Sequence, residues 1–103
     1  KVKSIAHITG GGFYENIPRS LPEGLGAVIK REDIKVHPIF DLIAKEGNIP
    51  ERDMFNTFNM GVGMTIIVSK EDADKAIEIL KENGEDAYVL GTISKSDEGV
   101  EIC

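Results

Sequence analysis

The stretch that most constrains this chain is residues 7–22, HITGGGFYENIPRSLP, where three consecutive glycines separate a predicted strand from a short predicted helix. Fixing a glycine costs backbone entropy, so Gly10, Gly11 and Gly12 indicate either positive φ or the close approach of another group. Consecutive N–H groups leading into a helix form a concave site for an anion, and Arg19 is near enough in sequence to add a bidentate contact to a phosphate. The residues alone predict an anion-binding loop and a structural turn equally well.

The polar residues around the glycines also have two interpretations. His7 and Thr9 share one face of an alternating strand, where a ligand can reach both, yet an isolated strand histidine is more often structural. Asn16 suits a helix or turn cap as well as a ligand contact. The glycines match neither the G-x-x-x-x-G-K-[ST] phosphate loop nor the G-x-G-x-x-G dinucleotide fingerprint.

A second glycine-containing segment, residues 54–64 with the sequence MFNTFNMGVGM, precedes a β-branched run. Composition alone favours a tightly packed loop at this place. The functional alternative is that Gly61 and Gly63 let a ligand approach the backbone while Asn59 supplies an amide, because loops between elements often carry site residues.

These two segments, with IFDLIAKEGNIP between them, resemble the aminoimidazole ribonucleotide synthetases, also called phosphoribosylformylglycinamidine cyclo-ligases. The resemblance runs from about His7 to about Val68, whereas residues 69–103 are compatible with the family but carry no motif. It implies that residues 1–103 are a single domain, the C-terminal half of a two-domain enzyme, without its N-terminal ATP-binding domain. A chain that starts on lysine is consistent with such a fragment.

The resemblance also implies an activity, which is the ATP-dependent closure of the imidazole ring of formylglycinamidine ribonucleotide in de novo purine biosynthesis. The formyl oxygen is activated by phosphorylation, the amidine nitrogen attacks, and phosphate leaves. ATP and Mg²⁺ would be bound mainly by the missing domain, and the full-length enzyme would be a homodimer. No catalytic residue is assigned. The residues that match the family's substrate-binding loops are His7, Thr9, Gly10, Gly11, Gly12, Asn16, Arg19, Asn59, Met60 and Gly61.

Two other classes of protein share some of these features. A domain of formylglycinamide ribonucleotide amidotransferase, or of a relative such as selenophosphate synthetase, has the same two-domain plan, but we do not expect the ENIPR segment intact there. A stand-alone module that binds a small ligand without catalysis is the second alternative.

Composition limits the partners and the location of the chain. The formal net charge of −6 argues against a nucleic-acid surface, which needs a basic stripe. The single cysteine, Cys103, excludes an internal disulfide and a thiolate metal cluster, and it fits a reducing compartment. His7 and His37 are too isolated for a zinc site, so no metal site is predicted. No apolar run approaches the length of a membrane span, and we expect a cytoplasmic protein.

Hydrophobic periodicity predicts an α+β fold in which strands alternate with amphipathic helices. We expect one mixed sheet of about four main strands with helices packed on it, and the resemblance implies a partly ferredoxin-like arrangement. The predicted strands are 2–8, 26–31, 63–68 and 86–94 with a short returning strand at 100–102, and the predicted helices follow the glycines, run from Pro38 to Gly47, and cover 51–58 and 70–83.

Three packing details accompany this fold. The run 63–68 is continuous and β-branched, as in a central strand covered on both faces. The helix 70–83, with a capping-box-like start at Ser69-x-x-Asp72, is expected to pack against Ile66 or Ile67. Apolar side chains recur at helical spacing at Ile39, Leu42 and Ile43. The side chains expected to point inward from 51–58 are Met54, Phe55 and Phe58, and the apolar stripe of 70–83 consists of Ala73, Ala76, Ile77 and Leu80.

Overall fold

The structure is a computed structural model that describes residues 2–103, and its strands alternate with helices as an α+β fold requires. The α+β prediction is confirmed. The strands are β1 (Val2–His7), β2 (Leu25–Ile29), β3 (Met64–Val68), β4 (Gly91–Lys95) and β5 (Val100–Ile102), and the helices are α1 (Gly12–Asn16), α2 (Pro38–Gly47), α3 (Glu51–Thr57) and α4 (Ala73–Glu82). Short 3₁₀ turns lie at Pro18–Ser20, Arg31–Asp33 and Lys70–Asp72.

The strands form two sheets. β1 pairs with β3 in an antiparallel ribbon, while β2 lies between antiparallel β4 and parallel β5. Because β4 and β5 occupy both edges of β2, β1 and β3 pair with each other instead. The expectation of a single mixed sheet is therefore wrong for residues 2–103. The returning strand at 100–102 is short, but it pairs with one edge of β2. In a single sheet, β1 or β3 would have to pair with an edge of β2.

The strand with both faces covered is β2, and the prediction that gave this place to 63–68 is wrong. In β2, Gly26, Ala27 and Ile29 are buried. In β3 the side chains are half-buried, and Met64 is 55% exposed. A β-branched run indicates a strand, but its composition does not show which surfaces will cover it.

The hydrophobic core joins the two sheets to α1 and α3. Phe13 from α1 and Phe55 from α3 are among its largest fully buried side chains. Its buried members are Ala6, Ile8, Phe13, Ile17, Ala27, Ile29, Ile34, Met54, Phe55, Met60, Val62 and Val100. The segment of residues 7–22 and the segment of residues 54–64 therefore supply much of the core.

The helix α2 has the predicted bounds, with Pro38 in its first turn and left-handed Asn48 directly after Gly47. Its apolar stripe is wider than the surface that covers it. Phe40 packs on Phe58 with ring centroids 5.9 Å apart. Ile39 and Leu42 are each 53% exposed, so their helical spacing indicates the helix but not burial of these side chains. Ile43 is half-buried against the core.

The other two predicted helices begin or end slightly differently. In α3, Met54 and Phe55 are buried as predicted, and Phe58 is half-buried just after the helix. The helix α4 begins at Ala73 after a 3₁₀ turn, and the Ser69 side chain makes no capping bond. The predicted inward side chains of α4 are half-buried, because one side of this helix meets solvent.

The last antiparallel strand is shorter than predicted. Residues 86–90 lie outside regular structure, and β4 starts at Gly91. A Cβ at Gly91 would stand 2.3 Å from the Val28 carbonyl oxygen, so this glycine allows the strand to reach β2. Every residue of β4 is exposed.

Candidate functional site

The strand β1 directs alternate side chains into the core and out toward a cavity. Ala6 and Ile8 are buried, whereas His7 and Thr9 are exposed, as the alternating pattern predicts. A cavity of about 300 Å³ runs along β1 and extends to the residues after α1. Its lining residues are Ile5, Ala6, His7, Thr9, Asn16, Arg19 and Ser20. Four of the predicted site residues, His7, Thr9, Asn16 and Arg19, therefore share one cavity.

The three glycines form a tight turn whose last member is packed against α3. Gly11 and Gly12 have φ of 116° and 62°, in the left-handed region that glycine tolerates best. The Gly12 N–H donates to the Thr9 carbonyl at 3.0 Å. A Cβ at Gly12 would stand 2.0 Å from the Phe55 carbonyl oxygen. At Gly12, the group that approaches the glycine run closely is thus the backbone of α3 and not a ligand. An anion at this turn would meet the N–H groups of Gly10 and Gly11.

The side chain of Asn16 holds this turn in place. Its Nδ2 donates to the Gly12 carbonyl at 2.9 Å and to the Thr9 carbonyl at 3.3 Å. Its Oδ1 accepts from Thr9 Oγ1 at 3.2 Å and from Arg19 Nη1 at 3.3 Å. Asn16 is 4% exposed. A side-chain amide has two donors and two acceptor lone pairs, so all of its hydrogen-bonding capacity is used within the protein.

Arg19 lies at the mouth of the cavity and is the cationic side chain among the residues that line it. Its side chain is 69% exposed, and Nη2 is 4.0 Å from Glu15 Oε1. Glu15 leans over the glycine turn, since its Oε1 would be 3.2 Å from a Cβ placed on Gly11. The sequence interpretation did not include Glu15, although its i, i+4 spacing from Arg19 is the signal that would have found it.

The second segment forms a loop that its own side chains stabilise. Asn59 Oδ1 accepts from the Gly61 N–H at 2.9 Å, and the Asn59 carbonyl accepts from the Val62 N–H at 2.9 Å. Met60 is 3% exposed with φ of 55°. Gly61 has φ of 98°, and a Cβ there would stand 2.7 Å from His37 Cδ2. These contacts hold the loop in its conformation. They also engage the side-chain oxygen of Asn59 as a hydrogen-bond acceptor.

The two segments meet where β1 and β3 end their pairing. The Ile8 N–H donates to the Gly63 carbonyl at 2.8 Å, and His7 pairs with Met64. The second loop is therefore a direct neighbour of the glycine turn. The second loop does not line the cavity, however. Four of the ten predicted site residues line the cavity, whereas Asn59, Met60 and Gly61 lie beside it.

Two residues of the cavity lie outside the predicted set. Ile5 is 53% exposed on the same side of β1 as His7. Ser20 accepts a hydrogen bond from Ser4 Oγ at its carbonyl, at 2.7 Å, and this bond fixes the turn after α1 against β1. A serine after a proline–arginine pair does not form a recognisable motif, so the sequence does not indicate that Ser20 lines the cavity. Only its tertiary contact shows this.

Two further findings concern the whole described chain. Within residues 2–103 no three His, Cys, Asp or Glu side chains are grouped so as to hold a metal ion. Among the same residues, no helix combines the length and apolarity needed to cross a bilayer.

Comparison with known proteins extends the resemblance beyond Val68 to the whole chain. A family model described as "AIR synthase related protein, C-terminal domain" matches residues 1–103. The chain is 52% identical over 103 residues to a phosphoribosylformylglycinamidine cyclo-ligase of Lachnospira eligens, covering 100% of this chain and 30% of that protein. A protein of the same name from Caldicellulosiruptor saccharolyticus is 55% identical over 100 residues, covering 97% of this chain and 29% of that protein. Another from Acetivibrio thermocellus is 53% identical over 103 residues, covering 100% of this chain and 30% of that protein. The chain thus spans less than a third of the length of these relatives.

Proposed function

The chain belongs to the AIR synthase related protein family as its C-terminal domain, and on that premise we propose that the full-length protein is an ATP-dependent cyclo-ligase of purine biosynthesis. Its reaction would close the imidazole ring of formylglycinamidine ribonucleotide to give aminoimidazole ribonucleotide. The relatives that carry the cyclo-ligase name match nearly the whole chain at about half identity, which supports the proposal.

The observation that carries the proposal is the cavity along β1. His7, Thr9 and Arg19 line it together, and all of them come from the segment that resembles the family's substrate-binding loop. The chain has a net charge of −6, yet Arg19 places a cation at the mouth of this cavity. A guanidinium with most of its surface in solvent is well suited to a bidentate contact with the ribonucleotide's phosphate.

The residues of the site divide into those that touch the substrate and those that position them. We assign the phosphate to Arg19 and the N–H groups of Gly10 and Gly11, and polar groups of the ribose or amidine to Thr9 and His7. Asn16 and Gly12 are positioning residues, because the amide of Asn16 is fully hydrogen-bonded and Gly12 is packed against α3. Asn59, Met60 and Gly61 keep the neighbouring loop in place.

We propose that ATP and Mg²⁺ bind in the part of the protein that the relatives carry outside the matched stretch. Magnesium is held by carboxylates together with substrate phosphates, and the described residues contain no suitable group of acidic side chains. The chain would then supply the nucleotide-substrate side of a site whose ATP side lies elsewhere. A homodimeric, cytoplasmic enzyme is part of this proposal.

A turnover assay on the full-length protein tests the proposal. With formylglycinamidine ribonucleotide, ATP and Mg²⁺, we expect equal amounts of ADP and aminoimidazole ribonucleotide. ATP consumption that depends on formylglycinamide ribonucleotide and glutamine would instead identify the amidotransferase. Nucleotide binding without ADP release under any of these conditions would favour a binding module.

A further inference from the structure

We propose that the outer face of the β1–β3 ribbon is the surface on which the rest of the full-length protein docks, and that docking also closes the cavity. By register, Ile5 stands opposite Ile66 and His7 opposite Met64 on this face. We call these side chains, together with the paired Val2 and Val68 at its far end, the outer ribbon face. The inference does not depend on which reaction the protein catalyses.

The outer ribbon face is apolar, and it is exposed along β1 and at Met64, whereas Ile66 and Val68 are half-buried. Val2, Ile5 and Met64 are 49%, 53% and 55% exposed, while Ala6 and Ile8 on the opposite face are 6% and 2% exposed. Aside from His7, the side chains paired across this face are aliphatic or thioether, and the exposed Lys3 lies next to it in the register shift between Val2 and Ser4. Contiguous exposed apolar side chains mark an interaction surface.

The backbone of the ribbon has a second unsatisfied feature. In the described chain β1 pairs with β3 alone and β3 with β1 alone, so each strand keeps one edge without a strand partner. Unprotected strand edges are templates for pairing with other segments, and proteins normally cover them. The face of the ribbon and the free edge of β3 are therefore incomplete, whereas the turn after α1 lies against β1 through the Ser4–Ser20 hydrogen bond.

The length of the relatives identifies the occupant. This chain spans 29–30% of each of the three cyclo-ligases, so most of each protein lies outside the matched stretch. That polypeptide is covalently part of the same molecule, which gives it a high effective concentration at the ribbon compared with a separate partner. A mainly apolar face is best matched by apolar side chains of the occupant.

The outer ribbon face is continuous with the cavity. Ile5 and His7 belong to both, and Ile5, Ala6 and His7 line the cavity in succession. A polypeptide seated on the face would stand beside Arg19 and Thr9 and supply the wall that an open cavity lacks. Ligand sites bury most of a ligand's surface and occur preferentially between domains, which agrees with this arrangement.

Methionine oxidation in the unmodified full-length protein tests the docking. Met64 is 55% exposed in this structure, whereas Met54 and Met60 are 1% and 3% exposed and serve as internal references. With hydrogen peroxide as the probe and site-resolved mass spectrometry as the readout, we expect Met64 to oxidise within about threefold of the two references. Oxidation of Met64 more than about tenfold faster than both would overturn the proposal.

Cysteine labelling provides a second, independent measurement with a matched control. Ile5→Cys in the full-length protein should react with a maleimide at least about tenfold more slowly than Lys75→Cys, because Lys75 lies on the charged side of α4. Equal labelling rates would contradict docking at Ile5. If Ile5→Cys does not fold, the oxidation of Met64 decides alone.

The same measurements distinguish the occupant. Protection of Met64 that is unchanged on dilution to nanomolar protein supports docking within one molecule. Protection that disappears as the protein is diluted would show that a second copy covers the face, and the proposal would then be wrong.

Discussion

The ring of Phe13 meets the ring of Phe55 edge to face, with centroids 5.2 Å apart and an interplanar angle of 64°. Phe13 belongs to α1, directly after the glycine turn, and Phe55 belongs to α3, just before the second loop. This contact is the centre of the core and fixes the glycine turn against α3. The geometry of the candidate site therefore depends on an aromatic pair that is itself inaccessible to a ligand.

The first prediction compares two hydrophobic truncations. Phe55→Ala should lower the free energy of unfolding by about 3–5 kcal/mol, because the ring is 1% exposed and its removal leaves a cavity. Leu80→Ala should cost only about 1–2 kcal/mol, since Leu80 on α4 is half-buried and the site can relax into solvent. Urea denaturation measures the free energy of unfolding of both variants. Equal losses of this free energy would show that Leu80 on α4 is buried and not half-buried.

The second prediction concerns the packing of Gly12. Gly12→Ala should destabilise the fold by more than about 3 kcal/mol, because the new methyl would collide with the Phe55 carbonyl oxygen. Gly24→Ala is the matched control, since Gly24 also has positive φ, at 87°, but its added Cβ would meet no atom within 4 Å. The control should cost about 1–2 kcal/mol, which is the backbone strain alone. Similar denaturation midpoints for the two variants would refute the steric explanation.

The third prediction addresses the amide of Asn16. Asn16→Ala should destabilise the protein by about 1–3 kcal/mol, because the Thr9 and Gly12 carbonyls lose a buried donor. Asn56→Ala, on the exposed side of α3, should change the stability by less than about 0.5 kcal/mol. Thermal denaturation measures both. A loss of substrate affinity by Asn16→Ala with unchanged stability would reassign this residue to direct ligand contact.

The fourth prediction tests the phosphate contact of Arg19. In the full-length enzyme Arg19→Ala should raise the KM for formylglycinamidine ribonucleotide about 10- to 150-fold, the equivalent of one charge-assisted hydrogen bond, with little change in the KM for ATP. Arg52→Ala is the control, because Arg52 stacks over Tyr14 at 4.1 Å and does not line the cavity. Steady-state kinetics with each substrate varied in turn gives both constants.

Arg19 is a better probe of the anion than Gly11. A side chain at Gly11 would be strained at φ of 116° and would press on Glu15, so Gly11→Val would lower stability whether or not a phosphate binds. If Arg19→Ala lowers thermal stability but leaves both KM values unchanged, the glycine turn is structural and the phosphate lies elsewhere.

The fifth prediction is that the 103-residue chain alone does not turn over. It lacks a P-loop sequence, and among its described residues no three His, Cys, Asp or Glu side chains are grouped so as to hold a metal ion. Incubation with ATP, Mg²⁺ and formylglycinamidine ribonucleotide should release no ADP above the rate without protein. Turnover by this chain at a rate typical of enzymes would place the ATP site within residues 1–103.

The sequence predicted local features well because they depend on neighbouring residues. The alternation of β1 placed His7 and Thr9 on one side, and the short spacing from the glycine run brought Asn16 and Arg19 to the same cavity. The helix bounds of α2 followed from its proline and glycine. Each of these inferences uses backbone geometry over a few residues.

Features that depend on distant surfaces were not predictable. Nothing local to Gly12 indicates that its neighbour is the Phe55 carbonyl, more than forty positions away. Met60 has positive φ although it is neither glycine nor asparagine; it is 3% exposed and lies in the turn that the Val62 N–H closes by donating to the Asn59 carbonyl. The β-branched run of β3 was predicted to be covered on both faces because sequence shows which side chains favour burial but not which surface covers them.

The arrangement of β2 has a consequence for synthesis on the ribosome. β2 is made well before its partners, because antiparallel β4 and parallel β5 both come from the far end of the described chain. Parallel and long-range strand pairs form slowly, because a long loop must close before any contact compensates for it. Leu25–Ile29 therefore leaves the exit tunnel as an apolar segment without partners, and it remains open to aggregation until β4 and β5 emerge.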